Sequence, residues 1–305
     1  MTPNTFGALL MMASMACFTV NDVLIKLTDG AVPLGQMLFL RGSLSVVLIL
    51  IFARWLGRIS FYIGLRDWGR VLLRSAAEIG AAYFFISALL NMPIANVTAI
   101  LQALPLTVAV AAALVLGEPL GWRRMVAIGV GLIGVLLIVR PGAEGFTVWS
   151  LYALGAVACV TVRDIATRRL SPTVPTMTVT LVAALTITLF FGAVSVTEPW
   201  VALSPRLGLL IGGAAVLIIG AYWFSVQVMR QGEIGFIAPF RYTGLVFALV
   251  LGFAVFGDWP DALTLTGAGI VVATGLFTLY RERQVSRRSK HALHVADINR
   301  EPVAK

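Results

Sequence analysis

Charged side chains inside long apolar stretches are the residues of this chain whose types and spacing can do chemistry. Glu78 follows Arg74 by four residues in one such stretch. Arg41 and Arg241 stand in two others without an oppositely charged neighbour one turn away. Inserting a charge at the centre of an apolar helix into a membrane costs about 2.5–3.5 kcal/mol. We therefore expect each of these charges to form an ion pair or to have a function. An unpaired guanidinium can bind a carboxylate through two parallel hydrogen bonds.

The sequence leaves two roles open for each of these charges. Glu78 can pair with Arg74 on the same helix face, or it can face a ligand. Arg41 and Arg241 can hold a ligand carboxylate, or they can form ion pairs between helices. The carboxylates available for such interhelical pairs are Asp22, Glu78 and Asp164.

Two aspartates at equivalent places precede a basic residue by four positions, the order of acid and base that favours pairing in a helix. The predicted pairs are Asp22 with Lys26 and Asp164 with Arg168. We expect Asp22, Arg41 and Asp164 to form ion pairs between the two halves of the chain, or to couple proton or ligand movement.

Uncharged side chains supply further candidate contacts. Gln102 can hydrogen-bond a ligand or join two helices. Tyr83 with Phe84, and Trp223 with Phe224, occupy equivalent places in GAAYFF and GAYWFS. These aromatic pairs can line one cavity, or they can pack against lipid and other helices. The predicted binding residues are Glu78, Tyr83, Gln102, Trp223, Arg241 and Tyr242.

The composition predicts a polytopic membrane protein as the frame for these residues. Of 305 residues, 59% are hydrophobic and 12% are charged, and the mean hydropathy is +0.93. Soluble domains carry about 25% charged residues. The net charge of +9 does not indicate nucleic-acid binding, because seven of the 23 basic residues follow residue 280 and no soluble basic domain precedes them.

Motifs for metal, cofactor and enzyme chemistry are absent from the sequence. Cys17 and Cys159 lie in apolar stretches, whereas His291 and His294 lie in the polar tail. The glycines of GVGLIGVLL lie inside an apolar span without the lysine of a P-loop. We therefore expect no metal, no cofactor and no enzymatic activity.

Ten stretches are long enough to cross a bilayer, since a helix needs about 20 apolar residues to do so. Little chain remains between them, which leaves no room for a soluble catalytic domain. The predicted fold class is an all-α polytopic membrane protein with ten transmembrane helices. The predicted spans are 5–26, 33–53, 69–90, 94–116, 121–139, 148–168, 174–196, 207–230, 234–257 and 261–280.

The two halves of the sequence are duplicates. Residues 16–33 match residues 158–175 at seven of eighteen positions. Because each half contains five spans, the second copy enters the membrane with the opposite orientation, and such inverted repeats are typical of transporters. The predicted units are the repeats 1–141 and 142–281, followed by a basic, disordered cytoplasmic tail at 282–305.

The closing turns of the two repeats carry a resemblance to a known family. "GEP" at 117–119 and "GDW" at 257–259 are each followed by a glycine, Gly129 and Gly269. With the mid-helix Pro105, this pattern resembles the EamA-type branch of the drug/metabolite transporter superfamily over about residues 5–281. The resemblance implies a metabolite carrier, commonly an exporter, and the aromatic amino acid exporters of the superfamily are its first point of comparison.

The sequence and the resemblance together predict an inner-membrane secondary carrier that exports amino acids by alternating access through a cavity between the repeats. The alternatives are uptake or exchange of another metabolite, such as a nucleoside-type or S-adenosylmethionine-like substrate, and broad drug or metabolite export. A channel fits the duplicated chain less well. The expected partners are a small-molecule substrate and the lipid bilayer, without nucleic acid, and a monomer can suffice.

Both termini are predicted to be cytoplasmic, because that orientation places sixteen basic residues inside and three outside. The outer three are Lys26, Arg140 and Arg206. A C-terminal alkaline phosphatase fusion should therefore be inactive, and a C-terminal green fluorescent protein fusion should fluoresce. An active phosphatase fusion would contradict the topology.

Overall fold

The computed structural model describes residues 3–56, 59–117, 121–140, 147–228 and 237–298, and every regular element in these ranges is helical. A 3₁₀ segment, Ala238–Tyr242, precedes the α-helix Thr243–Leu251, and a π-helical segment, Gly252–Phe256, follows that helix. The α-helices are α1 Pro3–Lys26, α2 Leu34–Leu56, α3 Leu65–Asn91, α4 Ile94–Leu101, α5 Leu104–Leu116, α6 Trp122–Val139, α7 Val148–Arg168, α8 Thr176–Ser195, α9 Pro205–Val228, α10 Thr243–Leu251 and α11 Ala262–Ile298.

The predicted ten-span, all-α fold class is confirmed. Within the described residues, eight helical stretches are long and apolar enough to cross a bilayer, and two shorter apolar helices, Met125–Val139 and Ala262–Thr278, supply the fifth and tenth spans. Helices prevail because lipid offers no partner for backbone N–H and C=O groups, which an α-helix satisfies within itself.

The fourth span of each repeat is interrupted, although the sequence predicts continuous helices there. In the first repeat α4 ends at Leu101 and α5 begins at Leu104, because Pro105 lacks the N–H that would bond to the carbonyl four residues earlier. In the second repeat Pro239 lies in the 3₁₀ segment before α10. Both repeats therefore have irregular backbone inside the bundle.

Each repeat ends its fourth span in a left-handed glycine. Gly117 has φ +70° and Gly257 has φ +71°. A residue without a Cβ adopts this conformation without strain and stops the helix. The predicted turns at these glycines are confirmed, whereas Glu118 and Pro119 lie outside the described residues.

The main helix contacts follow the two-fold relation that a duplication requires. The α3–α7 contact is matched by the α9–α1 contact, in which each helix is replaced by its repeat equivalent. The α2–α8 and α6–α11 contacts each join a helix to its own equivalent. The core therefore lies between the repeats rather than within each one.

Equivalent glycines bring the helices of these pairs close together. A Cβ at Gly80 of α3 would lie 2.8 Å from the sulfur of Cys159 of α7. A Cβ at Gly220 of α9 would lie 3.8 Å from the sulfur of Cys17 of α1. The two cysteines thus fill space against a glycine in both repeats, as expected for small apolar side chains.

Helices α6 and α11 are held at one end by backbone contact and an ion pair. A Cβ at Gly267 would lie 2.5 Å from the carbonyl oxygen of Gly134. Beyond this contact Arg140 pairs with Asp261. The backbone N–H of Thr264 and the guanidinium of Arg140 hold the pKa of the Asp261 carboxyl below its usual range.

The last helix extends beyond the membrane span. The sequence predicts a disordered tail from residue 282, whereas α11 continues to Ile298. Residues 281–298 contain neither glycine nor proline, so nothing in the backbone ends the helix there.

Gly267→Ala should destabilise the protein, because the new methyl group has to push α6 away, and such overpacking costs about 1–3 kcal/mol. Gly269→Ala is the matched control, since a Cβ there meets no atom within 4 Å. Thermal unfolding in detergent should show a lower unfolding temperature for Gly267→Ala and an equal or higher one for Gly269→Ala. Equal unfolding temperatures for the two variants would contradict the backbone contact.

Candidate functional site

An ion pair between the repeats joins the middle of α3 to α7. Glu78 Oε1 lies 3.1 Å from Arg163 Nη1, and Glu78 Oε2 lies 3.4 Å from Arg74 Nη2, one turn away. The Glu78 and Arg163 side chains are only 11% and 20% exposed. The pairing of Glu78 with Arg74, one of its two predicted roles, is therefore present. Arg163 is a second partner that sequence reasoning missed.

Arg163 also holds Asp164. Its Nη2 and Nε atoms each lie 2.9 Å from Asp164 Oδ1. Asp164 therefore pairs with the preceding residue, whereas the sequence predicts Arg168 as its partner. The reason is that one guanidinium can reach two carboxylates at once, since its fork offers five N–H donors.

Lys26 does not pair with Asp22, which corrects the other predicted intrahelical pair. Its Nζ donates to the backbone oxygens of Leu89 at 3.1 Å and Met92 at 2.6 Å. It also lies 5.5 Å from the centre of the Phe256 ring. The last carbonyls of a helix have no partner within it, so an ammonium at the end of α3 satisfies them better than it would a carboxylate one turn away.

Asn21 connects Asp22 to Arg41. The Asn21 amide donates to Asp22 Oδ1 at 2.9 Å, and its oxygen accepts from Arg41 Nη1 at 3.5 Å. Electrostatic attraction also draws Arg41 towards Asp22 and Glu78. Asn21 thus links Arg41 of α2 to Asp22 of α1, and the direct ion pair of Arg41 with a carboxylate stays a prediction. The feature of the sequence that could have identified Asn21 is its place next to Asp22.

Tyr222 of α9 stands among these charges and was also missed, because the repeat pattern drew attention to Trp223. Its ring packs edge-on against Phe18 of α1, with centroids 5.6 Å apart. Its side chain is 39% exposed. The charges that act on its hydroxyl are those of Glu78, Arg163, Arg74 and Arg41.

The 3₁₀ segment before α10 presents Arg241 and hides Tyr242. Arg241 is exposed, its charge is attracted by Asp164, and it makes no hydrogen bond or ion pair within the described part of the chain. Tyr242 is buried against Gly275 of α11, and its hydroxyl lacks a hydrogen-bond partner among the described residues. Tyr242 therefore packs the segment against α11 instead of lining open space.

The break between α4 and α5 is tied to the helix that carries Arg163. Gln102 lies at the break and is 8% exposed. One turn further, the hydroxyl oxygens of Thr107 and Thr161 lie 2.8 Å apart. The irregular backbone of the first repeat is thus fixed to α7 beside the ion pairs.

The two predicted aromatic pairs lie on different helix pairs. Tyr83 packs with Phe84 and with Tyr152 of α7, at centroid distances of 5.4 and 6.0 Å. Trp223 packs with Phe224 on α9, at 5.1 Å. Tyr83 and Trp223 are each partly exposed, so each offers an aromatic surface at a separate place.

Seven charged residues from both repeats form what we call the central ionic cluster. Four are arginines and three are acids, which leaves one surplus positive charge when all are ionised. A surplus cation in a low-dielectric bundle attracts an anionic group strongly. The cluster can therefore bind a carboxylate. Its members are Asp22, Arg41, Arg74, Glu78, Arg163, Asp164 and Arg241.

Comparison with protein families and solved structures gives matches over nearly the whole chain. The EamA-like transporter family matches twice, over residues 5–140 and 147–280. A solved crystal structure is similar with a TM-score of 0.62 at 20% identity, covering 92% of this chain and 99% of its own. The structural match supports the fold alone.

Three curated bacterial proteins illustrate the range of similar sequences. An S-adenosylmethionine uptake transporter of Rickettsia conorii is 25% identical, covering 91% of this chain and 93% of its own length. A riboflavin transporter of Vibrio cholerae is 26% identical, covering 93% and 96%. A pseudopaline exporter of Pseudomonas aeruginosa is 25% identical, covering 91% and 97%. The three relatives are thus named for three different substrates.

Glu78→Gln should lower the free energy of unfolding by about 3 kcal/mol, because it leaves Arg74 and Arg163 without their shared carboxylate. The double variant Glu78→Gln/Arg163→Gln should lose less free energy of unfolding than the two single variants lose in sum. Chemical denaturation in detergent measures both quantities.

Glu78→Gln combined with Arg140→Gln is the control, since Arg140 pairs elsewhere, with Asp261. The losses of free energy of unfolding caused by Glu78→Gln and by Arg140→Gln should add within about 0.5 kcal/mol. Additive losses for Glu78 and Arg163 would mean that the ion pair between the repeats does not form.

Proposed function

We propose that the chain, which belongs to the EamA-like transporter family, is an inner-membrane secondary carrier that exports amino acids. It is a multi-pass membrane transporter and not an enzyme. In the proposed mechanism, a cavity between the repeats 1–141 and 142–281 opens alternately to the two sides of the membrane. The central ionic cluster lies at the interface of the repeats.

The central ionic cluster is the observation that carries this proposal. Charges inside a membrane protein mark substrate or ion pathways, because each one is costly to retain. The cluster draws on α1, α2, α3, α7 and the 3₁₀ segment, so it belongs to both repeats. Its surplus positive charge favours a substrate with a carboxylate over one with only an amine.

Arg241 is the proposed carboxylate ligand. The other three arginines are engaged: Arg74 and Arg163 with Glu78, and Arg41 with Asn21. Arg241 is exposed and makes no hydrogen bond or ion pair within the described ranges, so its planar fork is available for two parallel bonds. The irregular backbone at Pro239 gives Arg241 a position that a regular helix would not give it.

The remaining predicted residues receive different proposed roles. Tyr83 and Trp223 offer aromatic surface for the apolar part of a substrate. Gln102 is suited to a hydrogen bond at the α4–α5 break. Glu78 and Tyr242 act indirectly, since Glu78 holds Arg163, and Tyr242 holds the Arg241 segment against α11.

Two basic residues at opposite ends of the repeats are the proposed gates. Lys26 at the end of α1 binds the carbonyls that end α3. Arg169, just after α7, donates to the carbonyl of Val115 at 2.7 Å, near the end of α5. Because the repeats are inverted, these ties lie at opposite membrane faces, and access on each side requires that side's tie to open. Cytoplasmic termini would place the Arg169 tie inside.

Uptake of a larger metabolite is the second candidate function. Relatives named as S-adenosylmethionine uptake and riboflavin transporters favour it. An amino acid is preferred here over riboflavin, which has no carboxylate, because the cluster carries a surplus cation. A channel has less support, since the cations and acids pair across the interface of the repeats instead of forming a ring.

Purified protein in liposomes should move amino acids saturably and should discriminate against their decarboxylated amine analogues. Arg241→Lys should keep the protein folded and raise the half-saturation constant about tenfold, because an ammonium lacks the two-pronged geometry. Arg241→Ala should nearly abolish transport. Counterflow uptake of radiolabelled substrate measures each case.

Unfolding temperatures of the same variants separate binding from folding. If Arg241 is instead a structural partner of Asp164, Arg241→Ala should unfold at a lower temperature, because Asp164 then keeps only Arg163 as a cationic partner. Arg206→Gln, which removes an exposed arginine at the start of α9, is the matched control and should transport normally. Equal transport of amines and amino acids by the wild type would contradict the carboxylate site.

A further inference from the structure

Helices α6 and α11 form an open groove near the end of α6 that carries Trp122. At the other end their backbones are in contact at Gly134 and Gly267. Beyond that contact the two helices leave a groove with a volume of about 440 Å³ between residues 122–130 and 273–277. The groove lies far along the pair from the Arg140–Asp261 ion pair.

The groove is apolar along its length. Val126 and Val130 of α6 face Ala273 and Phe277 of α11. The hydroxyl of Thr274 donates to the carbonyls of its own helix, so it offers no free donor to the groove. Val126 is 57% and Phe277 42% exposed, which is the exposure expected of side chains that face hydrocarbon.

The mouth of the groove carries a cation beside an indole. The Arg123 guanidinium lies 5.4 Å from the centre of the Trp122 ring. Trp122 is 69% exposed at the start of α6, a place where tryptophan meets lipid headgroups. Arg123 lines the groove and pairs with no carboxylate among the described residues. A long apolar trough thus ends at a positive charge beside an indole.

We propose that this groove binds one acyl chain of an anionic phospholipid, whose phosphate pairs with Arg123. Basic pockets between transmembrane helices bind anionic headgroups in this way, and the trough supplies the apolar contact that a free phosphate could not use. A second copy of this chain fits less well, because a two-fold contact on this face would bring two unpaired Arg123 side chains together. The site is separate from the central ionic cluster and does not depend on which substrate is carried.

Native mass spectrometry of the full chain in detergent tests the proposal with phosphatidylglycerol and phosphatidylcholine of identical acyl chains. The wild type should bind phosphatidylglycerol about fivefold more tightly. Arg123→Gln should remove that preference, whereas Arg206→Gln should keep it. Ala273→Phe fills the trough and should weaken binding of both lipids. Ala273→Leu replaces it if the larger side chain lowers the unfolding temperature.

Three results would overturn the proposal. Equal binding of the two lipids by the wild type would remove the role of charge. Displacement of phosphatidylglycerol by millimolar inorganic phosphate, with no effect of Ala273→Phe, would mean that a phosphate binds without the acyl chain. A dimer that Ala273→Phe dissociates would mean that a second copy covers the groove.

Discussion

The absence of water around the bundle is the constraint on which the rest of this structure depends. Backbone groups in hydrocarbon must bond within their own helices, and charged side chains must find partners inside the protein. The first requirement explains why the described elements are helical. The second explains why Glu78, Arg163 and Asp164 lie in contact, since each would be costly alone. An ion network at the interface of the repeats therefore stabilises the bundle and creates a polar place within it.

The duplication positions that network, and departures from the duplication give it its charge. Helix contacts and the glycine–cysteine contacts repeat in both halves. The charges do not: Asn21 precedes Asp22 in the first repeat, whereas Arg163 precedes Asp164 in the second. Arg163 thus adds a cation and a link to Glu78 that the first repeat lacks. A symmetric frame with an asymmetric centre is suited to a substrate that is itself asymmetric.

Regular features of this structure could be predicted from the sequence, and contacts between distant helices could not. The lengths of the apolar stretches were enough to predict the spans, and the glycines were enough to predict the turns at Gly117 and Gly257. The pairing of Glu78 with Arg74 followed from helical spacing, but the same rule assigned Lys26 and Arg168 to the wrong aspartate contacts. Lys26 binds carbonyls of α3, and Arg163 lies between two acids, because helix packing brings those groups closer than the local neighbour.

The proposed transport requires an accessible substrate site at the interface between the repeats. Tyr222→Cys, in a chain whose Cys17 and Cys159 are replaced by alanine, places a single thiol beside the central ionic cluster. A membrane-impermeant thiol reagent should label it in liposomes, and transported amino acids should slow the labelling while their amine analogues do not. A thiol that stays unlabelled from both sides of the membrane, or labelling that the amino acids leave unchanged, would contradict the claim.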